Sequence, residues 1–531
     1  MKATPKIPDI PEDQRTPLVA ALLEIIQVLL EKNQELKDEI ARLKGQKPKP
    51  DIKPSVLEKD PVKRGEQVSG TKRPGSAKKE KTKKLQIHNT VIIPAPNVPL
   101  GSRPKGFEDF TVQGLLFQPY NTLYRRERWL APQGNHIVAP VPEHLRGLGS
   151  HFDASLQSFI LYQYHHCHVT QPLILEQLRD LGVDISVGQV NRIITEDKDR
   201  FHAEKDDILL AGLEISDYIN VDDTGARHRG KNGYCTDIGN ELFAWFESTH
   251  SKSRLNFLRL LRAGATDYVL NRDAFAYMEM QKLPQDQFER LDGLGQTVFG
   301  DETAWKAALE SVGLTKERHV RIATEAALLG SIIHNGITNP DLAIISDDAG
   351  QFDVLLHGLC WIHAERPIRK LTGFTQAQRE SLERTRRRIW GLYHDLQVYK
   401  QTPGPHKKAE LENRFDEIFT TRTSYATLNQ ALANIHKNKS ELLLVLDRPD
   451  IPLHNNQSET DIREYVKKRK ISGSTRSDLG RRSRDTFASL KKTCRKLGVG
   501  FWDYLKDRVS RVNSIPWLPD LMRQQMGLSP R

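Results

Sequence analysis

The sequence predicts an α/β protein assembled from several segments, and three observations carry that expectation. The chain has 531 residues, more than one compact core accommodates. Two apolar runs, "YINVDD" and "LAIISDD", read as strands that end in paired acids. Between and after them lie stretches of helical character, such as "SKSRLNFLRLLRA" and "ERHVRIATEAALLGSIIHNG". Strands alternating with helices are the pattern of a sheet covered by helical layers.

Composition narrows the partners. The formal net charge is +11, and 38% of residues are hydrophobic, enough for real cores. A basic surplus of this size favours an acidic partner, nucleic acid first and an anionic membrane second. No run approaches eighteen consecutive apolar residues, and the proline-rich start "MKATPKIPDIPEDQRTP" lacks the apolar centre of a secretion signal. No membrane partner is expected. Cys167, Cys235, Cys360 and Cys494 are scattered, with no CxxC pair. That argues against a disulfide framework or a cysteine-rich zinc finger and for a reducing, cytoplasmic setting.

In chain order, residues 18–44 come first. Leu22, Leu29, Leu36 and Leu43 recur every seven residues, as do Val19, Ile26, Asn33 and Ile40. This is a heptad seam with one asparagine at an a position, the signature of a parallel coiled-coil pair and hence of a homodimer. Residues 45–104 read as a basic disordered linker; 45–84 alone hold thirteen Lys/Arg against five Asp/Glu. Residues 105–150 read as a small β region, from "FEDFTVQGLLFQ", "TLYRRERWLA" and "HIVAP" with turns between them. Residues 151–210 are helical. Within them, a helix over 171–180, a break at Gly182 and a second helix capped by Ser186 suggest a helix-turn-helix-like DNA-binding domain. The "YHHCH" string at 164–168 has no distant second half, so packing or DNA contact is expected of it rather than metal binding.

The remaining segments form the catalytic part. Residues 211–262 contain three sequential strands and a helix. Residues 263–340 read as a helical insertion, 341–370 return to the core with the second acid pair, and 371–450 are a second helical insertion. Residues 451–531 carry Glu459 and the C-terminal helices. A meander, a helix and then a strand with an acid at its end follow the logic of a ribonuclease-H-like core with helical insertions, where acids at strand ends meet in one cleft.

Strand geometry restricts which acids meet. Neighbours on a strand point to opposite faces, so one of Asp222 and Asp223, and one of Asp347 and Asp348, can enter a given site. Spacing leaves the choice open. Glu459 supplies a third carboxylate from a helix, in "LHNNQSETDIREYVKKRK". Three such groups can hold two divalent ions about 4 Å apart, and hard oxygens favour Mg²⁺ or Mn²⁺. Arg463, Lys467, Lys468, Arg469 and Lys470 follow on the same helix and are expected to neutralise DNA phosphates.

The ordered blocks "VDDTGARHRGKNG", "SDDAGQF", "CWIHAERPIRK", "HNNQSETDIREYVKKRKISGSTRS" and "FASLKKTCRKLGVGFWDYLKD" resemble the insertion sequence 66 family of bacterial DDE transposases. The resemblance runs from about residue 120 to 507. It implies catalytic, metal-binding roles for Asp222, Asp347 and Glu459. Asn455 and Asn456 match the family's asparagine pair and are expected, with the cations after them, to face double-stranded DNA; Arg463 matches the arginine after the family's glutamate. The expected activity is cleavage of element ends and joining of the 3′-hydroxyls to target DNA, beside the nucleoid and with possible small accessory proteins. A nuclease of the same fold that never joins ends, or an inactive DNA-binding protein, are the rival readings. The cysteine-rich zinc segment of many relatives is absent here, so no structural zinc is expected.

Overall fold

A computed structural model of the protein describes residues 87–529, apart from 97–98, 109–111, 143–150 and 296, together with part of 16–32. The predicted coiled coil beyond residue 32 and the basic run at 45–84 lie outside the described residues. The chain divides into two units, residues 1–116 and 117–531. In the first, described residues near 18–32 are helical, and 87–108 carry no regular element. The expected β region is smaller than its sequence suggests. Only β1 (Arg128–Leu130) and β2 (His136–Val138) pair, and the described part of "FEDFTVQGLLFQ" forms no strand. All six paired residues are exposed, so no apolar face is buried that could drive longer pairing.

In the second unit, β1 and β2 are followed by four helices: α1 (Ala154–His165), α2 (Gln171–Asp180), α3 (Val187–Thr195) and α4 (Asp199–Ile215). The Ser186 hydroxyl accepts the Gln189 N–H and so starts α3. Val190, Ile193 and Ile194 turn inward from that helix.

A five-stranded mixed sheet is the centre of this unit. In chain order its strands are β3 (Tyr218–Gly225), β4 (Tyr234–Gly239), β5 (Ala244–Thr249), β8 (Ala343–Ser346) and β9 (Leu356–Leu359). The spatial order is β5-β4-β3-β8-β9. β3, β4 and β5 run antiparallel as a meander, whereas β3, β8 and β9 are parallel. Every residue of β8 is buried, as a strand covered on both faces requires.

Helix α5 (Arg254–Leu261) follows β5. Residues 263–340 hold the short pair β6 (Tyr268–Val269) and β7 (Val298–Phe299) with α6 (Arg272–Met280), α7 (Gln285–Asp292), α8 (Glu302–Ser311) and α9 (Glu317–His334). This insertion does not stand apart. Tyr268, Trp305, Ala326 and Ile332 share one contiguous core with Ile219, Val221 and Ile344 of the sheet and with the helices at 154–215.

The opposite face of the sheet has its own core. Ala343, Ile345 and Leu359 pack there against α10 (Trp361–Arg369), α11 (Gln376–Tyr399), α12 (Pro405–Phe419), α13 (Ala426–Lys437) and the short α14 (Lys439–Leu442). The chain closes with α15 (Asn456–Ser472), α16 (Asp478–Lys496), α17 (Phe501–Ser510) and α18 (Leu518–Gln525). Gly473 ends α15 at φ 68°, a left-handed turn that glycine adopts without steric cost.

Helix α16 covers the open edge of the sheet. Ala244, Phe246 and Ser248 donate their outward N–H groups to Thr493 Oγ1, Ser489 Oγ and Asp485 Oδ2, at 3.2, 2.9 and 2.9 Å. Alternate strand residues thus meet helix residues four apart, and the edge is closed to other strands. Asp485 also accepts from Tyr465 Oη of α15 at 3.0 Å. Replacing Asp485 by Ala strands the buried Ser248 N–H and leaves the Tyr465 hydroxyl with Ser248 Oγ as partner. Chemical denaturation should show a loss of about 2–4 kcal/mol.

Candidate active site

The register of β3 against β8 selects the acids. Tyr218, Ile219 and Asn220 face Ala343, Ile344 and Ile345. Carried two residues further, the same offset brings Asp222 level with Asp347. Both lie on the sheet face that carries Ile345. Asp223 belongs to the other face, with Ile219 and Val221. There it is satisfied by the protein itself, accepting from Thr236 Oγ1 at 2.6 Å and Gln351 Nε2 at 3.0 Å. Asp348 is exposed and accepts from Asn438 Nδ2 at 3.4 Å. The choice that spacing left open therefore falls on Asp222 and Asp347.

Glu459 arrives from the first turn of α15. Its placement depends on Asn455, which is 1% exposed. Asn455 Nδ2 donates to the carbonyl of Val221 at 2.8 Å, one residue before Asp222. Its Oδ1 accepts from Ser458, and its N–H meets Cys360 Sγ at 3.2 Å. The Trp361 N–H donates to Leu453 O. One asparagine thus stitches the start of α15 to the strand of the first acid and to the start of α10.

The three carboxylates feel one another. Burial pushes the Asp222 carboxyl up to about 7, and the charges of Asp347, Asp223 and Glu459 add to the rise. The Asp223 N–H, 2.7 Å from Asp222 Oδ1, opposes it. A rise at Asp222 to which acids from two other segments contribute is the electrostatic mark of convergence.

Several neighbours carried no sequence signal. His363 Nε2 lies 3.3 Å and Arg366 Nη2 3.5 Å from Glu459 Oε1. Burial and Arg366 lower the pKa of His363, while Glu459 and Asp347 oppose that. Within the "CWIH" block Cys360 and Trp361 are buried behind the site, whereas His363 faces Glu459. Behind Asp222, across the ladder, stands Asp237, fully buried with neither carboxylate oxygen partnered. Burial and then Asp461 drive its carboxyl well above the usual range. Asp461 in turn pairs with Lys492 and Lys496 of α16.

The predicted DNA-facing residues divide. Arg463, Lys467, Lys470 and Asn456 are exposed, with Arg463 Nη2 3.0 Å from Glu459 Oε2. Arg469 is half-buried and donates to Thr224 Oγ1 and to the carbonyl of Gly225. Lys468 differs from the expectation of a phosphate contact, since it is 5% exposed. It donates to Tyr164 O at 2.6 Å, and its ammonium lies 3.4 Å from the centre of the Tyr164 ring. Burial, Arg484 and Lys491 lower its pKa to about 7. Asn455 is likewise internal. The "YHHCH" segment packs here too, with His168 Nε2 2.8 Å from Glu464 Oε1.

The fold and site define an α/β protein with two acids, Asp222 and Asp347, on one face of its central sheet and a third, Glu459, on helix α15. The model of the Transposase IS66 family matches residues 348–483. A protein of Sinorhizobium fredii (strain NBRC 101917 / NGR234), named uncharacterized protein y4jO, is 45% identical over 304 residues, covering 57% of this chain and 94% of that protein. The chain belongs to the IS66 transposase family. Among the described residues no helix is long and apolar enough to cross a membrane.

The raised Asp222 pKa has a sign that can be checked. Because the native value exceeds the unfolded one, metal-free protein loses stability as pH rises from about 4 to 7 and is level above that. Asp222→Asn escapes the loss. Thermal melts without metal should find the variant equal to the parent near pH 4 and more stable by about 1–2 kcal/mol at pH 8. Added Mg²⁺ should stabilise the parent and leave the variant unchanged.

Proposed function

We propose that the protein is a DNA transposase of the DDE type with a ribonuclease-H-like core. It cleaves the ends of an insertion element and joins the resulting 3′-hydroxyls to target DNA. What supports this reading is the register that sets Asp222 level with Asp347 on one face of the sheet, together with the charge of Glu459 acting on Asp222. The strand order and the family membership support it.

The residues present fit a divalent metal centre. The charges of Asp347 and Glu459 raise the cost of ionising Asp222, which a cation relieves, and the hard carboxylate oxygens suit Mg²⁺ or Mn²⁺. Bound there, such ions would supply Lewis acidity at the scissile phosphate and lower the pKa of an attacking water or hydroxyl. The chain's own residues hold the acids in place: Asn455 fixes α15 against β3. His363 and Arg366 brace one oxygen of Glu459, and Arg463 braces the other. Arg463, Lys467 and Lys470 present positive charge beside the acids, where a DNA backbone would lie. The helices at 151–210 would grip element ends, and the heptad seam at 18–44 would pair two copies. The protein would act in the cytoplasm at the nucleoid, with small accessory proteins where the element encodes them.

The experiment uses DNA carrying the terminal inverted repeats that flank this reading frame, both intact and pre-cut. With Mg²⁺, the protein should nick the intact end and join the pre-cut one. Asp222→Asn, Asp347→Asn and Glu459→Gln should each lower both steps by about 10³-fold or more while end binding persists. Nicking without joining would favour a nuclease. Binding with no Mg²⁺-dependent chemistry in the parent would overturn the enzymatic reading.

A further inference from the structure

A second group of ligating side chains lies outside the triad. Asp353 sits in the loop after β8, His357 on the edge strand β9, and Glu441 on α14. One ligand atom from each lies within 4.8 Å of the other two.

Hydrogen-bond polarity shows what this group needs. The Ser346 hydroxyl has a single hydrogen, and its Oγ stands 2.5 Å from the carbonyl oxygen of Asp347. A carbonyl oxygen only accepts, so that hydrogen is committed there. Toward His357 Nε2, 2.8 Å away, Ser346 can only accept. Nε2 therefore carries the ring hydrogen, and in the neutral ring Nδ1 is a bare lone pair. That lone pair faces Glu441 Oε1 at 2.7 Å. Two acceptors at this distance repel unless a cation serves both. A proton would bridge the two atoms. Asp353 brings a third acceptor to the same place, and three converging acceptors suit a metal ion. Arg254 Nη2, 3.3 Å from Asp353 Oδ2, orients that carboxylate.

We propose that Asp353, His357 and Glu441 form a binding site for a divalent transition ion. One imidazole nitrogen with two carboxylates suits Zn²⁺ or Mn²⁺ better than Mg²⁺. The Ser346 contact fixes the ring tautomer, as the outer partner of a metal-bound histidine does. The His357 side chain is 5% exposed, so the ring is also held by packing. The ion ties together three parts of the fold: the loop that carries Asp347 and Gln351, the edge strand β9, and the helical layer over residues 371–450. It is a structural clasp that sets the position of Asp347, and it does not depend on the transposition chemistry.

The test uses full-length protein with Zn²⁺ as the probe. The parent for comparison is the double variant Asp222→Asn with Glu459→Gln, so that the triad contributes little zinc. After loading and exhaustive dialysis, plasma mass spectrometry should find one zinc per chain. Adding Asp353→Asn, an exposed position, should weaken retention at least tenfold with the zinc-free melting temperature unchanged. His357→Gln should abolish retention. Nitrogen NMR should show zinc shifting His357 Nδ1 while Nε2 keeps its hydrogen. The proposal is overturned if the double variant retains no zinc, or if Asp353→Asn retains as much as its parent. It is equally overturned if both ring nitrogens stay protonated at pH 7.5 in excess zinc, which would identify a proton bridge.

Discussion

Three like charges held together in a partly buried place are the constraint on which the rest of this structure depends. The charges of Asp347 and Glu459 raise the cost of ionising Asp222, so an unsupported cluster of this kind would drift apart. Two devices prevent that. The parallel register of β3 and β8 sets the first two acids level. Asn455, buried and fully hydrogen-bonded, fixes the helix of the third to the strand of the first. Its bonds are internal, so they persist whatever the solvent or DNA does.

Around this centre the fold separates two kinds of positive charge. Lys468, Lys491 and Lys492 are buried and Lys496 is half-buried, and all four bind carbonyls or acids inside the protein. They lock α15 to α16 and to the end of α1. Arg463, Lys467 and Lys470 project outward from α15, the helix of Lys468. The sequence shows Lys468 and these three as one cationic run. Side-chain direction on a helix divides them, because residues a single step apart point about 100° away from each other. A net charge of +11 therefore overstates the charge free to meet a polyanion.

The same distinction marks what was legible in the sequence. The α/β class and the acids at strand ends were readable because β-runs ending in "DD" are local patterns. The helix capped by Ser186 was readable for the same reason. The choice between Asp222 and Asp223 was not, since it rests on pairing with a strand about 125 residues away. His363 and Arg366 near Glu459, and Asp237 behind Asp222, depend on contacts of the same range and leave no periodic trace. The short β1–β2 pair shows the opposite failure. Its residues have strand propensity, yet no covering layer makes that propensity count. Lys468 failed for a third reason: a lysine in a charged run reads as solvated until a tyrosine from a distant helix is seen beneath it.

The convergence of the three acids is the central claim, and one measurement addresses it directly. Fe²⁺ placed in the site, with ascorbate and peroxide, cuts the polypeptide where its ligands lie. The account predicts fragments ending near residues 222, 347 and 459 together, with the cuts near 222 and 459 suppressed in parallel by excess Mg²⁺. Cuts at one of these positions without the others, or cuts near 222 and 459 that respond to Mg²⁺ independently, would contradict it.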